Sequence, residues 1–316
     1  MEKISVGGQA VIEGVMMRAP HALAVAVRKP NGEVAVKEDV WRSFSHRLRF
    51  LKWPLIRGSV VLIETLINGF QALSFSANQA LEEENGQRKE EKKLSPWGLS
   101  LIMSGAFAIG IVFFVVLPHY LTGFLGNFFG RDLDVENLFF HLIDGLIKVF
   151  FFIAYIYAIS LMKNIQRIFQ YHGAEHKCIY AYEAGEELTV SNAQKYSTLH
   201  PRCGTAFLLV VIVISIILFS VIFPYLPRFP YLGKGLTSLI YIGIKLPLLF
   251  PIAGLAYEVI KLSGKKPNHP ILRIFISPGL WLQRLTTRAP MDDQIEVALR
   301  ALQGALRLES GQKAVL

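Results

Sequence analysis

Two imidazoles and a carboxylate stand together in Tyr171-His172-Gly173-Ala174-Glu175-His176-Lys177-Cys178. The pattern His-x-x-Glu-His is the inverted form of the zinc-protease signature, in which the two histidines hold a metal and the glutamate serves as base. On a helix His172 and His176 lie one turn apart on one face, so both rings can reach one ion. Glu175 falls close enough to address a metal-bound water without ligating the metal. A second cluster, His200-Pro201-Arg202-Cys203-Gly204-Thr205, offers another imidazole and a thiol within one short turn. The chain's two cysteines, Cys178 and Cys203, both fall in these clusters, which favours reduced, metal-facing thiols over a disulfide. Such donors suit zinc, with iron or copper as other candidates.

The elements that must position these groups are read from composition first. The 316 residues are 52% hydrophobic and 18% charged, the makeup of a membrane protein. Four stretches are apolar and long enough to span: 99–117, 139–161, 206–226 and 236–260. The net charge of +9 carries no nucleic-acid signature, and its distribution follows membrane topology instead. Of 33 lysines and arginines, all but Arg131, Arg228, Lys234, Lys148 and Lys245 lie in the N-terminal region, the loop 162–205 or the C-terminal tail. The positive-inside rule therefore places both termini and that loop in the cytoplasm.

This topology brings the second span inward just before His172 and starts the third just after Cys203. The fourth ends inward at Tyr257-Glu258, so Glu258 reaches the same rim. Inverted zinc proteases take a third ligand, a glutamate, from a downstream helix, and Glu258 meets that description. Within the spans, Asp144 and Lys148 lie one turn apart and are read as a pair that lowers its own insertion cost.

The expected fold is an α-helical integral membrane protein with four transmembrane helices and amphipathic C-terminal helices, plus a small N-terminal unit containing a β-hairpin. Residues 1–53 form the N-terminal unit, whose early glycines suggest tight turns and whose alternation from Leu23 to Val36 around Asn31-Gly32 reads as a hairpin. Residues 54–98 hold an amphipathic helix, too polar at Arg57, Glu64, Asn68 and Gln71 to span alone, and a charged linker from Glu82 to Lys93. In that helix Glu64 reads as a structural partner. Residues 99–161 carry the first two spans, 162–205 the loop with the metal motifs, and 206–260 the last two spans. Residues 261–316 hold an interfacial segment broken at Ser277-Pro278-Gly279, then a final helix whose apolar face, Ile295, Ala298, Leu299, Leu302 and Leu306, should dock on the soluble part.

The segment from Gly8 to Arg18, Tyr171 to Lys177, His200 to Thr205, Tyr257-Glu258 and Thr286-Thr287-Arg288 together resemble the domain-of-unknown-function 1385 family of bacterial membrane proteins, over nearly the whole chain. That family is described as predicted metal-dependent enzymes. The resemblance implies a place in the bacterial plasma membrane and makes His172, Glu175, His176, His200, Cys203, Glu258, Glu13 and Arg18 motif positions.

Three functions are compatible with these residues. In a metallohydrolase His172 and His176 bind zinc, Glu258, Cys203 or His200 completes the set, and Glu175 activates water on a peptide or lipid-linked substrate at the inner leaflet. Arg18 and Arg202 could then grip an anionic group, with Glu13 and Cys178 in support. In a structural scaffold His172, His176, Cys178, His200 and Cys203 close a site that clips the loop and builds a docking surface for a membrane protein partner. A transporter is the third, and no inverted repeat supports it.

Overall fold

The computed structural model describes residues 3–44, 48–81, 96–130, 137–227, 231–265 and 269–313, so the expected linker 82–93 lies outside the described residues. The chain opens with four strands, β1 (Gly7–Val11), β2 (Gly14–Arg18), β3 (Ala22–Arg28) and β4 (Val34–Val40), in an antiparallel meander of that order. The expected hairpin is β3–β4; its turn closes where the Lys29 amide donates to the Glu33 carbonyl at 2.8 Å and Gly32 takes φ 88°. The glycine-rich start, expected as turns, instead forms β1 and β2, so the unit is a four-stranded sheet.

Helices follow: α1 (Ile56–Leu81), α2 (Pro96–Ile111), a π turn (Val112–Val116), α3 (Leu117–Phe128), α4 (Leu138–Ser160), α5 (Lys163–Ala184), α6 (Val190–Gln194), α7 (Gly204–Ile222), α8 (Lys234–Lys265), α9 (Pro270–Thr286) and α10 (Asp292–Lys313). Strand alternation sends Val15, Met17, Ala24 and Ala26 to one face of the sheet, where α5 and α10 cover them with Tyr171, Cys178, Ile295 and Leu302. The other face, with Val11, Met16, Val25 and Val27, packs on Ala72 and Phe75 of α1. The final helix thus docks by the apolar face expected of it.

Among the described residues, five helical stretches are long and apolar enough to cross a membrane: 56–80, 104–128, 138–160, 204–225 and 235–264. Four of these overlap the stretches expected to span; α1 is the fifth by length and composition alone, and it packs on the sheet with its polar stripe met internally. Glu64 is fully buried and takes Arg18 at 2.7 Å, the Ser43 hydroxyl at 2.6 Å and the Phe44 amide at 2.8 Å, while Leu66 and Ile67 point outward. Glu64 is therefore the structural partner expected, and Arg18 is occupied by it rather than open to a substrate anion. The first expected span also shifts toward higher residue numbers, to 104–128, since the helix runs on to Phe128; a widened π turn sits just before Pro118, whose ring cannot take a normal helical place. The interfacial segment is not broken at Ser277-Pro278-Gly279 but continues as α9, where Gly279 lies so close to Ala206 of α7 that a Cβ would stand 2.5 Å from its methyl carbon.

α7 packs against α4, α8 and α9. Asp144 and Lys148 pair as expected at 2.6 Å, and Lys245 of α8 reaches the same carboxylate oxygen at 3.0 Å. α1 and α8 cross at glycines: a Cβ on Gly254 would stand 1.7 Å from the Leu55 carbonyl oxygen. Gly254→Ala should therefore force the helices apart and cost about 1–3 kcal/mol. Thermal unfolding in detergent micelles checks this, and an unchanged midpoint would refute the close crossing.

Candidate metal centre

α5 carries most of the site, and its sequence explains its placement. Tyr171, Ala174, Cys178 and Ala181 recur at helical spacing and bury their face against the sheet and α10. The helix ends at Gly185, which adopts φ 82° and donates its amide back to the Tyr182 carbonyl. With that face committed, His172, Glu175 and His176 turn toward the start of α7. Cys203 stands there as the residue just before the first turn.

Among the described residues, the His, Cys and carboxylate atoms that could share one ion are those of His172, His176 and Cys203, all within 4.8 Å of one another. The His172 and His176 ring centroids are 4.4 Å apart, and His172 Nε2 is 3.2 Å from Cys203 Sγ. Each ring is fixed from behind. His172 Nδ1 lies 2.8 Å from the Thr286 carbonyl, and His176 Nδ1 bonds the Thr198 carbonyl. A carbonyl only accepts, so both Nδ1 atoms carry protons and both Nε2 atoms face the thiol. This is how outer hydrogen bonds orient imidazole ligands.

The backbone that supplies Thr286 lies across α5 at Gly173. A Cβ there would stand 2.1 Å from the Arg288 carbonyl oxygen and 3.2 Å from Thr198 Cγ2, and the Arg288 amide donates to the Phe169 carbonyl at 2.9 Å. Gly8 of β1 plays the same part over Glu175, where a Cβ would meet Glu175 Cγ at 2.7 Å. Sequence reasoning missed Gly173, Thr198, Thr286 and Gly8 as site residues. The signal available was a glycine inside a helical motif, which costs about 1 kcal/mol against alanine and so points to close packing.

The electrostatics follow from burial and proximity. Burial raises the Cys203 thiol, but the neighbouring His172 charge and hydrogen bonds from both rings outweigh it, holding the thiol well below its usual range. Burial lowers His172; the Cys203 thiolate, Glu175 and the Thr286 carbonyl overcome it and lift the ring to about 9. The two thus form a thiolate–imidazolium pair whose shared proton a cation would replace. Glu175 is buried, 4.0 Å from His172 Nε2, and makes no hydrogen bond among the described residues. Burial raises its carboxyl, opposed by His176 and then His172. His172 keeps 13% of its side chain exposed, which leaves the site one approach from outside.

The remaining expected residues fall elsewhere. Glu258 does not join the trio, because the Arg57 guanidinium of α1 engages both its carboxylate oxygens. His200 is close, with its ring centroid 5.5 Å from that of His176, but its Nδ1 accepts the Arg202 amide at 3.3 Å and its Nε2 lies 3.5 Å from Glu183 without a hydrogen bond. Burial, then repulsion from His176, lowers it to about 4, so it is a neutral neighbour rather than a member of the trio. Arg202 pairs with Glu183 and is not free to grip a substrate. Cys178 lies in the core with its thiol 3.8 Å from the Ile295 carbonyl, and burial raises it far from the thiolate form. It therefore cannot help to close a structural site. Glu13 takes φ 52° in the β1–β2 turn and is held by Arg167; it braces the sheet against α5.

A helical protein with the makeup of a multi-pass membrane protein, capped by a four-stranded sheet that presses on a His/Cys/Glu cluster, is the class these features define. The family description "Protein of unknown function (DUF1385)" matches residues 53–308, and the chain belongs to that family. It is 35% identical over 315 residues to the "Uncharacterized protein YqhQ" of Bacillus subtilis (strain 168), covering 96% of this chain and 93% of the relative. No solved structure matches it.

Proposed function

We propose that this protein is a membrane-embedded metallohydrolase working at the cytoplasmic face of the bacterial plasma membrane. His172, His176 and Cys203 hold the ion, and Glu175 is the base. The observation that carries this reading is the pair of imidazoles locked at Nδ1 by backbone carbonyls and turned toward the Cys203 thiol, beside a buried carboxylate that makes no hydrogen bond among the described residues. Two imidazoles and a thiolate fit zinc, and three protein donors are the number found in catalytic zinc sites. When bound, zinc supplies Lewis acidity and lowers the pKa of a coordinated water. Glu175 takes the proton of the attacking water and passes it to the leaving group; its buried setting keeps competing solvent away. The concentration of lysine and arginine in the N-terminal region, the 162–205 loop and the tail supports the cytoplasmic orientation.

Purified protein should contain about one transition-metal ion per chain by elemental analysis, and Cys203→Ala should lose it. Folded protein without metal after purification from metal-supplemented medium would refute the reading. A second reading is favoured by the 3.2 Å contact between Cys203 and His172, whose far nitrogen is oriented by Thr286: a cysteine nucleophile paired with its base. In that case the activity survives a chelator and is abolished by alkylating Cys203.

A further inference from the structure

β1 is an edge strand, and its hydrogen-bonding pattern shows which of its groups face outward. The Arg28 amide donates to the Glu13 carbonyl, and the Ala19 amide to the Ala22 carbonyl, so residues 13, 15, 17 and 19 bond toward β3. Residues 14, 16 and 18 therefore bond toward β1, where they face Val11, Gln9 and Gly7. The amides and carbonyls of Gly8 and Ala10 are left pointing away from the sheet. Among the described residues they make no hydrogen bond.

Three further observations concern this edge. It lies beside the site, since a Cβ on Gly8 would stand 2.9 Å from Glu175 Cδ. It is open, because Gly7 and Gln9 are exposed and a Cβ on Gly7 would meet nothing within 4 Å. It also lacks any guard: the opposite edge, β4, carries Lys37, Glu38 and Asp39, whereas β1 reads Gly-Gly-Gln-Ala-Val, without charge or proline. Native sheets protect edges that must stay unpaired, and glycine in a strand marks close approach of another backbone.

We propose that β1 is the substrate-binding strand of this protein, and that its substrate is an extended polypeptide segment that adds to the sheet through the free groups of Gly8 and Ala10. This rests on the metallohydrolase reading and narrows its substrate class from peptide or lipid-linked to peptide. Strand addition supplies main-chain hydrogen bonds without regard to sequence, and here it lays a peptide bond over Glu175. The reaction is hydrolysis: the water oxygen bonds to the carbonyl carbon, the C–N bond breaks, and Glu175 carries the water's proton to the departing nitrogen. The missing Cβ at position 7 leaves open space for the added chain, while Gly8 beside it packs directly on the base.

The test uses the full-length protein in detergent with β-casein, an unstructured polypeptide, as the probe. In metal-loaded Glu175→Gln protein, amide exchange of the 7–11 segment should slow when casein is added. Ala10→Pro removes an outward donor and leaves the ladder to β2 intact, so it should weaken casein binding about 10-fold, the scale of one net hydrogen bond. Unchanged exchange of 7–11 at saturating casein, or no casein binding, overturns the proposal whether or not Ala10→Pro folds. Casein cleavage that needs metal and Glu175 yet leaves 7–11 exchange unaltered overturns strand addition alone. Protection of 7–11 with turnover indifferent to Glu175 supports the docking strand and refutes the metallohydrolase reading.

Discussion

Glu175→Gln is expected to retain its metal and lose about 10²–10⁴ of its turnover, the contribution of a positioned general base. The substitution keeps the side chain's shape, so it fits beneath Gly8, which packs so closely that a Cβ on it would stand 2.7 Å from Glu175 Cγ. It does not touch the three candidate donors, and it breaks no hydrogen bond among the described residues. What it removes is the basic carboxylate, whose Oε2 lies 4.0 Å from His172 Nε2 and which would take the proton from water. Turnover and elemental analysis on the same preparation give the answer. A cysteine-nucleophile enzyme would lose little, because its base is His172. Full activity in Glu175→Gln, with metal bound, would therefore end the assignment of Glu175 as base.

The parts of this site that were legible in the sequence are those encoded by spacing along one helix. His172, Glu175 and His176 need only a helical α5 to share a face, and α5 is helical. Cys203 was legible because a thiol next to an imidazole at the start of an apolar span has few ordinary roles. Glu258 was misplaced for a definite reason. Residue type and the end of its helix brought it to the right neighbourhood, but whether a carboxylate meets a metal or a cation depends on the helix it faces, and α1 presents Arg57. His200 shows the same limit at shorter range, since the Arg202 amide donates to its Nδ1 and so leaves the ring's proton on Nε2.

In the fold, the periodic elements were legible and the exceptions were tertiary. β1 and β2 escaped notice because glycines at 7, 8 and 14 interrupt the alternation that marks a strand. The partners of the polar stripe of α1 were not legible, because nothing in its own sequence reveals that Arg18, Ser43 and the Phe44 amide satisfy Glu64. The backbone carbonyls that aim the two imidazoles leave no trace in residue type at all. Their mark is Gly173, visible only as the residue that cannot carry a side chain where the 286–288 segment crosses.

That crossing makes Gly173→Ala the sharpest structural test. Considered as a helix alone, the change should stabilise α5, since alanine exceeds glycine by about 0.8–1.0 kcal/mol in helix propensity. The packing predicts the opposite sign. The new methyl would stand 2.1 Å from the Arg288 carbonyl oxygen, which is backbone and cannot swing aside as a side chain would, and 3.2 Å from Thr198 Cγ2. The 286–288 segment must lift, and with it the Thr286 carbonyl that holds His172. Pressure on Thr198 disturbs the residue whose carbonyl holds His176. Loss of one orienting partner costs about 10–100-fold in metal affinity, and disturbing two places Gly173→Ala at about 100-fold or beyond. Competition for zinc against a chromophoric chelator measures the affinity, and circular dichroism confirms that the helix persists. If Gly173→Ala binds zinc as tightly as the parent protein while remaining folded, the carbonyls do not aim the rings, and the case for a preorganised metal centre falls with them.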